Sequence, residues 1–244
     1  MTTKTRPAPT QYMRRPHARI IALGTGGAID SPERVWADHE AARTGADLVV
    51  LPERSVGVVQ AAIREDTVVI GTGEGGVLRH LLRDDVPHAV LAHARCVVVV
   101  VPDRWRVPPA SSTRHVAVGF AADAAGRAAL DWAVHRADAT GAMLDVLQAV
   151  VPIPGADAVR VHDPELRRAC DVLGEARVNV RYVDATVEGA AAAITERACR
   201  AEVLAIGNHH ASAWAALIGW SVAEGVALRA PCPVAFIPSS EVAS

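Results

Sequence analysis

Two long stretches of this 244-residue chain repeat one another. Residues from Val56 to Pro102 match those from Ala192 to Pro238 at a constant offset of 136, which places Gly71 on Gly207 and Cys96 on Cys232. Upstream, Trp36 matches Trp132 and Gly45-Ala46 matches Gly141-Ala142, at an offset of 96. The offset grows from 96 to 136, so the second copy carries 40 residues that the first lacks. Self-similarity of this length, with apolar runs to bury in each copy and no short period, means two copies of one domain and not a solenoid.

Within each copy, strand-like apolar runs alternate with helical stretches, the signature of a parallel sheet covered by helices. The first copy predicts strands at about 19 to 23, 47 to 51, 67 to 70 and 96 to 101. Ser31-Pro32 opens its first helix, with serine as N-cap and proline at N1. The second copy predicts strands near 115 to 119, 143 to 149, 177 to 183, 202 to 206 and 232 to 237. Its surplus contains a helix that Asp163-Pro164 opens and Gly174 closes, with Leu166, Ala169, Cys170 and Leu173 on one face. Alternating Val178, Val180 and Tyr182 then make a strand. The expected fold is α/β: two tandem doubly wound, Rossmann-like parallel-sheet domains, the first truncated, with a four-stranded sheet beside a five-stranded one. The expected boundaries are a disordered tail over 1–16, the truncated domain over 17–102, a linker over 103–113, the complete domain over 114–239 and a tail over 240–244.

The chain is half hydrophobic with formal net charge −2, so it has no bulk attraction to nucleic acid. Lys4, Arg6, Arg14 and Arg15 sit in a start without the apolar core of a secretory signal. Nowhere are 18 consecutive residues apolar, and a cytoplasmic chain is expected. Cys96, Cys170, Cys199 and Cys232 show no metal-ligand spacing and read as reduced, buried side chains. The linker Arg104-Trp105-Arg106-Val107-Pro108-Pro109 is stiffened by its prolines, and Trp105 is expected to pack on one of the domains.

Three segments carry a family likeness: Val116-Ala117-Val118-Gly119, the turn at Ile206-Gly207, and Ser221-Val-Ala-Glu224 through Pro231-Cys232-Pro233-Val234. On these the chain resembles the universal stress protein family, of the UspA type and in its tandem form, over nearly all of residues 114 to 238 and more weakly over 17 to 102. The resemblance implies a Rossmann-like domain of the adenine nucleotide alpha hydrolase type that pairs through its last strand. In some members, it also implies adenine nucleotide held by a Gly-x-x-Gly-x9-Gly-Ser/Thr loop and an acidic residue after the first strand.

Such a loop works because glycines let backbone N–H groups approach phosphate oxygens, while a helix N-terminus adds a favourable dipole. The first copy keeps Gly71 but has Glu74 at the second glycine and Asp84-Asp85 in place of Gly-Ser/Thr. Three carboxylates there would repel a polyphosphate, although Asp84 and Asp85 also read as helix caps. The second copy keeps Gly207 and Ser221 but has His210 at the second glycine and bulky Trp220 before the serine. Neither Gly24-Thr25-Gly26 nor Gly119-Phe120-Ala121 supplies the acidic residue. The expectation is a dead first site and a weak or dead second one, in which Gly207, Asn208, His210 and Ser221 would be the contacts for ATP or AMP. No cofactor is certain and no metal is expected, since His209-His210 lacks further ligands at suitable spacing.

Gly71-x-Gly73-x-x-Gly76 also matches a dinucleotide fingerprint, which keeps an NAD-dependent enzyme as a rival. No acidic residue ends a strand about 20 positions later, as that fingerprint requires. There is no Gly-x-Ser-x-Gly elbow, no His-Glu-x-x-His and no GxxxxGK[ST] loop, so no catalytic residue is assigned. The function expected is a non-catalytic stress-response regulatory or interaction protein with an eroded ATP site; the alternative is an adenine-nucleotide sensor working through the second copy. Its apolar last strands are sheet edges that must be paired or covered. The partners expected are the two copies themselves as an intramolecular pseudo-dimer, a second chain or a regulatory protein, and neither nucleic acid nor membrane.

Overall fold

The computed structural model describes residues 19–23, 29–50, 66–72, 94–109, 112–150, 164–184, 189–208, 225–227 and 229–239. The first half contributes β1 (Arg19–Leu23), α1 (Pro32–Thr44), β2 (Asp47–Val50), β3 (Thr67–Gly71) and β4 (Val97–Val101). The second contributes β5 (His115–Gly119), α2 (Ala124–Thr140), β6 (Met143–Val150), α3 (Pro164–Leu173), a 3₁₀ turn over Glu175–Arg177, β7 (Val178–Asp184), α4 (Gly189–Arg197), β8 (Val203–Asn208) and β9 (Val234–Pro238).

The nine strands of the described residues form one sheet in the order β2-β1-β3-β4-β9-β8-β5-β6-β7. A four-stranded sheet was expected beside a five-stranded one with the last strands paired, and β4 pairs antiparallel with β9 so that the two form one continuous sheet. Both strands are buried along their whole length, so leaving either as an edge would expose an unpaired apolar backbone. All other neighbours pair parallel. Each half reverses its strand order once, between β1 and β3 and between β5 and β8. In a doubly wound sheet, a ligand crevice lies outside the carboxyl ends of the strands at such a reversal.

Local sequence accounts for the helix ends. Gly45 and Gly141, matched in the repeat, both take the left-handed conformation at φ 69° and 70° and close α1 and α2. The following residues complete the cap, Ala46 N–H donating to Ala41 O and Ala142 N–H to Ala137 O. Ser31 holds the extended N-cap position ahead of Pro32, but its buried hydroxyl makes no capping bond, so proline pre-organisation carries that start. The surplus helix forms as its pattern predicts, burying Leu166, Ala169 and Leu173 and ending at Gly174, φ 85°. In β7 the buried side chain is Val183, while Val180 and Tyr182 are exposed because β7 ends the sheet.

Apolar side chains pack on both sheet faces. One cluster joins Val98 and Val100 of β4 to Leu204, Phe236 and α4; the other joins Val97, Val99 and Val101 to Val116, Val118 and α2. Both clusters cross the β4–β9 seam. Trp105 is buried in the second, as expected of a packing residue. The cysteines depart from expectation. Cys96 and Cys232 are buried just ahead of β4 and β9, but Cys170 is half-buried on α3, and Cys199 is exposed in the turn leaving α4. Burial pushes the Cys232 thiol up to about 12, which leaves it inert as a nucleophile.

Candidate functional site

At the carboxyl ends of β5 and β8, Gly119 lies beside Ile206 and Gly207 follows it. A side chain on Gly207 would run into the backbone of Ala125 and Gly126 in the first turn of α2. Gly126 in turn sits against the backbone of Ala121, where no side chain fits. The glycine at 207 is thus demanded by strand-to-helix contact, whether or not a ligand approaches it. Asn208 is buried, 4% exposed, at the end of β8. Asp123 caps α2, its carboxylate accepting from Gly126 N–H at 2.7 Å. An anion is therefore already held at the helix N-terminus, where the orphan amides and dipole would otherwise favour a phosphate.

The equivalent crevice of the first half is also acidic. A side chain on Gly71 would meet the carboxyl group of Glu33, from the first turn of α1, and Glu33 is only 1% exposed. Of the residues expected at the sites, the structure places Gly207 and Asn208 together at one crevice and Gly71 at the other. His210, Ser221, Glu74, Asp84 and Asp85 lie outside the described residues, as do Trp220 and Gly73 and Gly76 of the dinucleotide fingerprint. Among the described residues no group of His, Cys, Asp and Glu could hold a metal ion, and no helix is long and apolar enough to cross a membrane.

Sequence reasoning missed Glu33, Asp123 and a third acid. Glu40 on α1 is buried and accepts two hydrogen bonds from the Arg136 guanidinium of α2, the Nη2 bond being 2.8 Å long. Arg43 binds the same carboxylate, with Nε at 3.0 Å. Arg136 also lies over the rings of Trp36 and Trp132, 5.8 and 5.5 Å from their centroids. Burial pushes the Glu40 carboxyl up, but the charge of Arg136 and the bonds from both arginines outweigh it and hold it at about 2. Beside this cluster is a cavity of about 30 Å³, lined in part by Trp36, Trp105 and Arg114. It has room for roughly one water and not for a nucleotide. Arg114 and Glu202 precede β5 and β8, while Trp105 and Pro108 follow β4, so the cavity opens at the amino ends of the second half's strands, away from the β5–β8 crevice. A sequence signal existed for Asp123, an Asx residue three positions before Gly126 at the start of an apolar helix. Glu33 and Glu40 carried none, because both lie on a helix whose spacing looks polar and solvated.

The description of the universal stress protein family fits residues 112–238, just over half the chain. A universal stress protein from Archaeoglobus fulgidus superposes over 92% of this chain and 87% of its own, at 18% identity and a TM-score of 0.58. A functionally unknown protein from Pseudomonas aeruginosa covers 92% of this chain and 83% of its own, at 14% identity and a TM-score of 0.54. At these identities both likenesses concern the fold alone. A universal stress protein solved in complex with cAMP matches over 53% of this chain and 100% of its own, at 27% identity and a TM-score of 0.40. No curated protein matches the sequence.

Proposed function

Because this chain belongs to the universal stress protein family, we propose that it is a cytoplasmic, non-catalytic stress-response protein that acts by docking, with its ancestral adenine-nucleotide sites eroded. The observation that carries this reading is the carboxyl group at each crevice: half-buried Asp123 on the amide of Gly126 in one half, and buried Glu33 against Gly71 in the other. Each places a carboxyl group where a phosphate needs amide donors or positive potential, and neither offers the anion a favourable partner. The docking side of the reading rests on the sheet. Its β4–β9 register pairs Val99 with Ala235, residues matched in the repeat, as a pseudo-dimer of the two halves requires. Among the described residues β2 ends the sheet at its far edge with Val49 and Val50 exposed, whereas the matched strand β6 is covered by β7. That open edge is suited to a regulatory partner that adds a strand.

A second reading, an adenine-nucleotide sensor, keeps the β5–β8 crevice as its site, with Gly207 and Asn208 at its floor. One experiment separates the two. The natively purified chain is denatured and released nucleotides are identified by mass spectrometry, after which melting is followed with ATP, AMP and NADH. Docking without a nucleotide predicts nothing released and melting unmoved. A ligand at 100 times its Kd would stabilise the native state by about 2.7 kcal/mol, so saturating stabilisation by ATP or AMP would establish the sensor. Saturation by NADH alone would instead revive the dinucleotide enzyme.

A further inference from the structure

Around the β4–β9 seam the two halves are related by a local twofold. Val98, Val99 and Val100 pair with Phe236, Ala235 and Val234, so each residue faces the repeat equivalent of its own mirror position and Val99 faces its own equivalent. Over α1 and α2 the copies agree closely at the offset of 96. Trp36, Ala37, His39, Ala41, Thr44, Gly45 and Ala46 recur as Trp132, Ala133, His135, Ala137, Thr140, Gly141 and Ala142. Amid these identities Glu40 corresponds to Arg136, a reversal of charge. Two equivalent positions can touch only where they flank the twofold axis. The bidentate contact between Glu40 and Arg136 therefore places both on that axis, with the equivalent tryptophans Trp36 and Trp132 flanking the guanidinium.

We infer that the Glu40–Arg136 pair decides which surfaces may dock at this seam: it accepts an unlike half and rejects the like half of a second copy. In a symmetric pairing of two second halves Arg136 would face Arg136, and in a pairing of two first halves Glu40 would face Glu40. Either arrangement buries two like charges at contact distance in a site that is nearly dry, since both side chains are less than 10% exposed. The aromatic and small neighbours do not make this choice, because Trp36, Ala37 and His39 around Glu40 recur as Trp132, Ala133 and His135 around Arg136. The charges do, Arg43 beside Glu40 being replaced by Ala139 in the second copy. The charge reversal is thus a specificity element that turns a pairing surface fit for two like halves into one reserved for two unlike halves, and within one chain those halves are already tethered.

The test uses full chains with the charges re-dealt. Glu40→Arg and Arg136→Glu are each mismatched within one chain, but together they match across two chains, arginine to glutamate at both seams. Co-expressed with different tags, these two variants are expected to co-purify as a one-to-one species of twice the chain mass by light scattering. Two differently tagged wild-type chains are expected to stay separate at the seam. Each variant alone is expected to melt lower by roughly 5 °C or more, as loss of a buried pair implies for a chain of this size. The double variant Glu40→Arg/Arg136→Glu, matched again within one chain, is expected to recover most of that loss and to remain monomeric. Co-purification of the variant pair no greater than that of wild type would overturn the inference. If charge reversal leaves a single variant unfolded, the double variant decides: recovery of melting supports the inference, and no recovery overturns it.

Discussion

Gly71 and Gly207 stand at matched positions at the ends of β3 and β8, yet they meet different neighbours. Gly207 is pressed against the backbone of α2, while Gly71 is pressed against a buried carboxyl group. The same contrast recurs one layer away, where Glu40 of the first half faces Arg136 of the second. The first half has accumulated interior acids at positions where the second presents backbone or a cation. Divergence after duplication has kept the scaffold and changed the charge at the places where a ligand or a like partner would approach.

The contrast is tested most severely at the seam. Arg136→Ala leaves Glu40 buried with Arg43 as its remaining partner, and the loss of stability is expected to be about 3 kcal/mol by urea unfolding. Replacing both partners, as Glu40→Leu/Arg136→Leu, is expected to be near neutral, because no buried charge is then left unpaired and Arg43, which also loses Glu40, is partly exposed to water. A double variant as unstable as Arg136→Ala alone would mean that packing around Trp36, and not charge, sets the seam's stability.

Acid reads the same pair from the other side. The folded-state pKa of Glu40, about 2, lies below its ordinary 4.5. The unfolded chain therefore takes up the proton first as pH falls. The pair's stabilisation is complete above pH 4.5 and disappears between there and pH 2, a change of order 3 kcal/mol. Unfolding midpoints compared at pH 5 and pH 2.5 are expected to fall less in Glu40→Gln than in wild type. Equal falls would assign acid lability to other carboxylates.

Smaller effects separate the two glycines and the two helix starts. Gly207→Ala drives a methyl group into backbone that cannot yield and is expected to lose about 3 kcal/mol, whereas Gly71→Ala meets the end of a side chain that can swing and is expected to lose about 1 kcal/mol. Equal losses would show that Glu33 is held as rigidly as the α2 backbone. Asp123→Ala removes a capping bond and is expected to cost about 1 kcal/mol. Ser31→Ala removes a hydroxyl that makes no capping bond, and its melting temperature is expected to match wild type. A clear loss in Ser31→Ala would reveal a role for that hydroxyl beyond α1.

Read in one dimension, the residues determined the elements and their repetition. The nine strand positions fall within a few residues of the apolar runs, α3 starts at Pro164 and stops before Gly174, and Gly45 and Gly141 close matched helices. These features are local: periodicity, proline and glycine act within one turn or one strand, so they survive in the linear order. Gly207 and Asn208 were legible as a strand-end turn for the same reason. Tertiary structure decided that β4 and β9 fuse the halves into one sheet, that Gly207 answers to helix backbone, and that acids occupy both crevices. It also brought Glu40 to Arg136 across 96 residues of chain. Burial and pairing of charge depend on which surfaces meet, and on α1 the sequence pattern of Glu33 and Glu40 is that of a solvated face until α2 and β3 close over it.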